Sequence, residues 1–180
     1  MNEIEHGKGG GLAARLSSDR RMIVVALAVF ALDQFTKFLV NHFLGLYDEK
    51  IVVPGFFKFV HWGNTGAAWS LFTNKNGWLA VVGVVALLVL FRSRRHFDIH
   101  TTMGQLSLGL IFGGILGNLT DRLVLKQVTD FLYFYLDRRG AGPIGFPAFN
   151  VADSAICAGV ALIFISSLKK DHPTVSPPTG

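Results

Sequence analysis

The sequence predicts an all-α membrane protein of four transmembrane helices with a small extracytoplasmic β element. Three observations predict it. Hydrophobic residues make up 51% of the 180 residues and charged residues only 16%, where a soluble domain carries ~25% charged residues; the mean hydropathy is +0.43. The apolar residues gather into four long runs. The cations, which leave a net charge of +5, sit in short clusters beside those runs.

The first run covers residues 22–40, interrupted at Asp33-Gln34 and again at Thr36-Lys37, and makes a helix of about 28 Å at 1.5 Å per residue. A signal peptide or twin-arginine leader would also place Arg20-Arg21 before an apolar stretch, but apolar character resumes past Gln34, which favours a retained span. Runs 77–91, 103–119 and 149–168 supply the other three helices. The middle two are short for a core of roughly 30 Å, and Trp78 at an interface together with flanking residues completes them. Residues 1–21, polar and containing Gly9-Gly10-Gly11, read as a disordered cytoplasmic extension. Residues 169–180, with three prolines, read as a disordered cytoplasmic tail, leaving 22–168 as the membrane domain.

Arg15, Arg20 and Arg21 precede the first helix, Arg92, Arg94 and Arg95 crowd the short second connection, and Lys169-Lys170 close the fourth helix. By the positive-inside rule these places are cytoplasmic, so the long connections 41–76 and 120–148 face outward. Residues 51–60 contain two strand-like runs split by Pro54-Gly55, which predicts a small β element at the membrane surface. Residues 140–147, rich in glycine and proline, read as loop.

Whole classes of chemistry drop out. One cysteine, Cys157, permits no internal disulfide framework. The cations lack the interleaved aromatics of a nucleic-acid surface, so no nucleic-acid partner is expected. There is no H-E-x-x-H and no G-x-S-x-G, and the six histidines lie outside the apolar runs. Ser154 beside Asp153 has no histidine to activate it on its helix.

Gly109, Gly113 and Gly117 repeat every four residues, and Ala155 and Gly159 do the same, which predicts close packing of the third helix on the fourth. On the fourth helix Asn150, Asp153, Ser154 and Cys157 share one face that must look at protein or water. Asp33, Asp121, Asp130 and Asp153 all fall near the outer boundary. Asp33 precedes Lys37 by four residues, the favourable order for a helical ion pair. Asn64, Asn118, Asp121 and Arg122 read as a structural polar network. Asp130 and Asp153 are then left without a local cation. Carboxylates brought together without a cation do not both ionise, so one can accept a proton from water while the other donates one. An N-cap role for Asp153 is the bland alternative. A small proton-coupled transporter or channel, or a structural assembly factor, would also use intramembrane carboxylates.

The segments Asp33-Gln34-Phe35-Thr36-Lys37, Asn64 to Ser70, Gly113 to Arg122, Val128-Thr129-Asp130-Phe131 and Phe149 to Ser154 together resemble, in order and spacing, the motifs of the lipoprotein signal peptidase family, over roughly residues 22–168. The resemblance implies an aspartic endopeptidase of the bacterial plasma (inner) membrane. It would remove signal peptides from prolipoproteins, cleaving before the diacylglyceryl-modified cysteine, without a metal or organic cofactor. It implies Asp130 and Asp153 as the catalytic pair. Asn64, Gly66, Asn118, Asp121, Arg122, Asn150 and Ala152 would line or support the site, and Asp33 and Lys37 would be structural or near it. The expected partners are the lipidated substrate and membrane lipid, with the protein a monomer. Trp69 stands where phenylalanine is expected.

Overall fold

The computed structural model describes residues 8–66, 75–97, 99–138 and 140–170; Trp69 and the tail from 171 lie outside the described residues. Helix α1 (Lys8–Phe43) leads to strands β1 (Glu49–Val53) and β2 (Phe57–Asn64). Helix α2 (Asn76–Ser93) runs through a 3-10 turn (Arg94–Phe97) into α3 (Thr102–Val124). Strands β3 (Val128–Arg138) and β4 (Ala141–Gly145) precede α4 (Val151–Lys170). Four helical segments, 19–43, 76–97, 102–124 and 151–168, are long and apolar enough to cross a membrane. Helix α1 begins at Lys8, before the apolar run, where disorder is expected from the sequence. The helix formers Leu12-Ala13-Ala14-Arg15-Leu16 extend a helix already nucleated by its apolar part.

Helix α3 is the centre of the bundle. Half of its span is buried, against 6% for α2, and it packs on α1, α2 and α4. Its glycines make this possible, though not with the partner predicted. A Cβ on Gly113 would lie 2.6 Å from the Ala26 carbonyl oxygen, and one on Gly109 2.8 Å from that of Met22, so these two glycines face α1 rather than α4. The glycine that faces α4 is Gly114, against Ala152 and Ile156, while Gly117 meets both Asp33 of α1 and Ala152 of α4. Steps of four drift around a 3.6-residue helix, and α3 uses both sides of that drift. Gly159 of α4 does meet α3, at Ser107 and Ile111.

The strands form one antiparallel sheet in the order β1-β2-β3-β4. The β1–β2 hairpin turns at Pro54-Gly55 as the sequence signals, with Gly55 at a φ of 73°. Part of the expected loop 140–147 is instead β4, paired to β3 through Tyr135↔Gly145 and Leu136↔Ile144. Pro143 is tolerated there because β4 is an edge strand, where a missing N–H breaks no ladder.

Candidate active site

Asp130 and Asp153 come from different elements and are drawn together by backbone pairing. The Phe131 and Leu132 N–H groups donate to the Phe149 carbonyl (3.1 and 2.9 Å), and the Phe149 N–H returns a bond to Leu132 (3.1 Å). The start of α4 is thereby fastened to the first half of β3. Both carboxylates line one open cavity of about 500 Å³, whose polar wall includes Asn64, Asn118 and Arg122 and whose apolar wall includes Phe146, Phe149 and Ile156.

Asn150 is the residue that joins the pair. It is fully buried and caps α4: its Oδ1 accepts the Asp153 N–H (2.9 Å), while Asp153 Oδ2 accepts the Asn150 N–H (3.2 Å). This reciprocal arrangement is a capping box. Asp153 is therefore its third helical residue, not the N-cap, and Oδ1 of Asp153 remains for another donor. That donor is Asn118 Nδ2, at 2.7 Å. The Asn150 side chain also donates to Asp130 Oδ1 (2.9 Å), and Asn64 Nδ2 donates to Asp130 Oδ2 (2.8 Å). Asn64 reaches it because Asn64 pairs with Val128, two residues from Asp130, which puts both side chains on one face of the sheet.

Among the described residues no ion pair reaches either carboxylate. Asp130 is only 4% exposed. Burial first, and then the charge of Asp153, push its carboxyl up from 3.8 to about 7, against the hydrogen bonds of Asn64 and Asn150 and the charge of Lys37.

The other two aspartates sit differently. Lys37 Nζ meets Asp33 at 2.8 Å, Asp121 at 2.9 Å and the Asn118 side-chain oxygen at 3.0 Å. The predicted pair of Asp33 and Lys37 thus includes Asp121 as well. Asp33 Oδ1 also accepts the Ala152 N–H (2.9 Å), which brings Ala152 into the site through its backbone. Asp121 Oδ2 accepts the Thr129 N–H (3.2 Å).

The predicted network of Asn64, Asn118, Asp121 and Arg122 divides. The two asparagines serve the carboxyl pair, and Asp121 serves Lys37. Arg122 donates to the Gly66 carbonyl (2.9 Å) and to Asn76 (3.3 Å), holding the segment after β2, where the Gly66 N–H is bonded to Asn64 Oδ1 (2.8 Å). Gln34 and Asn76 are missed by sequence reasoning. Gln34 donates to Asp121 (3.0 Å) and the Gly117 carbonyl (3.3 Å), and its polarity inside an apolar run is the signal that could have found it. Ser154 Oγ donates to the Asn150 carbonyl (2.9 Å), the back-bond that a helical serine makes to the preceding turn.

Four apolar helices and a buried carboxyl pair that opens into a cavity and, among the described residues, forms no ion pair define an integral membrane enzyme. Two solved structures described as bacterial membrane enzymes share the architecture. One has a TM-score of 0.72 and 29% identity over 88% of this chain and 94% of that one, the other 0.67 and 32% over 84% and 94%. Residues 25–169 match the signal peptidase (SPase) II family. Lipoprotein signal peptidases of Azoarcus sp. and Geobacter metallireducens are 41% and 38% identical, covering 98% and 83% of this chain and 98% and 91% of their own lengths. The chain belongs to the signal peptidase II family and is a membrane protease.

Proposed function

We propose that Asp130 and Asp153 act together on one water molecule to cleave the signal peptide from a prolipoprotein, before its diacylglyceryl-modified cysteine. The observation that carries the reading is the pair itself: two carboxyl groups in one cavity, joined through Asn150 and, among the described residues, without an ion-paired cation. Asp130, raised to about 7, holds the proton. Asp153 accepts from Asn118 and the Asn150 backbone in the first turn of α4, where the helix macrodipole favours negative charge, and serves as the base.

Asp153 takes a proton from water as the water oxygen bonds to the scissile carbonyl carbon, and Asp130 gives its proton to the carbonyl oxygen. The tetrahedral diol then collapses. Asp153 protonates the departing cysteine nitrogen, Asp130 recovers a proton from the diol, and the C–N bond breaks. The substrate's acyl chains lie along the apolar wall of Phe146, Phe149 and Ile156, so lipid binding positions the peptide bond.

The protein is a multi-pass monomer of the bacterial inner membrane with both termini cytoplasmic and its site at the outer face. Arg21 bonds Thr102 (2.6 Å) and Arg94 lies 3.8 Å from Asp19, so the basic clusters of α1 and the α2–α3 connection share one end. Asn118 stands 16 residues along α3 from Thr102, a rise of about 24 Å, so the site belongs to the opposite end. Phe35, Phe38 and Phe43 remain exposed past Asp33 and carry the apolar belt around it. The sheet lies at that outer end. Cleavage of a lipidated prolipoprotein peptide by the purified protein tests the reading. Asp130→Asn and Asp153→Asn are expected to abolish turnover while keeping the fold, and turnover retained by either refutes the dyad.

A further inference from the structure

The reaction proposed above requires Asn118 to present its amide nitrogen, not its oxygen, to Asp153. The Asn118 amide stands between two opposite demands. On one side Asp153 Oδ1 accepts from Nδ2 at 2.7 Å. On the other, Oδ1 accepts from Lys37 Nζ at 3.0 Å and from Asn150 Nδ2 at 3.2 Å. A flipped amide would set its NH₂ against an ammonium, which can only donate, and its oxygen against a carboxylate, which in its ionised form can only accept.

Lys37 is not free to move aside. Its three N–H donors are taken by Asp33, Asp121 and Asn118, and it is 2% exposed. The same cluster grips the first turn of α4, since Asp33 accepts the Ala152 N–H. From α3, Asp121 faces Lys37 and Arg122 faces the Gly66 carbonyl. From β3, Asp130 faces Asn64 and Asn150. No cation other than Lys37 is bonded to the Asn118 amide among the described residues.

We infer that Lys37 is a positioning residue for the reaction: it locks the Asn118 amide in the orientation that donates to Asp153, and so keeps Asp153 bonded and aimed as the base. Lys37 acts through Asn118 and does not touch the substrate. The inference rests on the proposed dyad and deepens it. A purely structural lysine would affect only how much protein folds, whereas this one also affects the chemical step of the folded protein, and that second effect exists only while Asn118 is present.

The test is a double-mutant cycle on turnover of a lipidated prolipoprotein peptide, using Lys37→Met, Asn118→Ala and the double variant, each normalised to the folded fraction. Each single change is expected to lower kcat by about 100-fold, the scale for losing one donor to a reacting group, with KM within about threefold. The double variant is expected to be no slower than the slower single one, because both remove the same contact. Should Lys37→Met not fold, Asp33→Asn/Lys37→Met keeps the cluster's net charge and replaces it in the cycle; Asn at 33 still offers an oxygen to Ala152. Losses that multiply in the double variant, or a kcat unchanged by removing Lys37, overturn the inference. Asp130→Asn and Asp153→Asn run alongside: if they retain turnover the dyad itself is wrong, and if they abolish it while the cycle is multiplicative, only the role of Lys37 fails.

Discussion

Asp33 and Asp121 make one buried pair of carboxyl groups in this protein, and Asp130 and Asp153 make another, joined to the first through Asn118. In the first pair an ammonium stands between the two, within 2.9 Å of both. In the second pair the link is neutral: Asn150 donates to the Asp130 carboxyl from its side-chain amide and to the Asp153 carboxyl from its backbone N–H. The same residue type therefore does two kinds of work. The ammonium ties two carboxyl groups and two helices together, while the neutral link leaves Asp130 facing the charge of Asp153, so Asp130 retains a proton where the chemistry needs one. The Asn118 side chain lies on the border, accepting from Lys37 and donating to Asp153.

The largest expected effect separates the pairs by chemistry. Asp130→Asn and Asp153→Asn should each lower kcat by about 10⁴-fold, as loss of a central acid or base does, whereas Asp121→Asn should lower it far less and cost stability instead. Peptide-cleavage kinetics paired with thermal unfolding in detergent distinguish the two patterns. Equal loss of kcat at Asp121 would erase the distinction.

Next in size, Lys37→Met should destabilise the fold by about 3–5 kcal/mol, because two buried carboxylates lose their cation. Denaturant unfolding at neutral pH measures it. If stability is unchanged, the ammonium is not what holds that pair.

The pH response sharpens the comparison from the other side. The folded state keeps the Asp130 proton up to about 7, whereas the ordinary carboxyl value is 3.8. The folded state then binds more protons between those values, so this group's contribution is present below pH 3.8 and is lost as pH rises towards 7. The loss is on the order of a few kcal/mol. Unfolding at pH 5 and pH 8 should show it in the wild type and show a shallower fall in Asp130→Asn. The rate of cleavage should also decline above about pH 7, as Asp130 gives up its proton. The smallest effect belongs to Gln34→Ala, which removes one hydrogen bond to Asp121 and should cost about 1 kcal/mol with little change in kcat.

Local pattern made much of this legible. Four apolar runs became four helices, Pro54-Gly55 became the hairpin turn, and Asp33 and Lys37, one helical turn apart, did pair. Contacts between distant segments were harder to read. Nothing near Asp121 in the chain announces that Lys37 of α1 is its partner, because a cross-helix pairing depends on the rotation of both helices. The glycines of α3 announced close packing but not with which neighbour, and α1 rather than α4 received Gly109 and Gly113. The edge strand β4 was hidden by Pro143, whose disfavour for strands does not extend to an unpaired edge. Asp153 looked like a helix cap because its position in the turn could not be fixed until Asn150 was seen to occupy the cap.

Infrared titration of the carboxyl groups in the purified protein reads the Asp130 proton directly. A protonated-carboxyl C=O band is expected at pH 6 and should disappear with a midpoint near 7, in keeping with Asp130. The band should be absent from Asp130→Asn and intact in Asp33→Asn and Asp121→Asn. A band that survives in Asp130→Asn, or no protonated carboxyl at pH 6 in the wild type, would contradict that assignment.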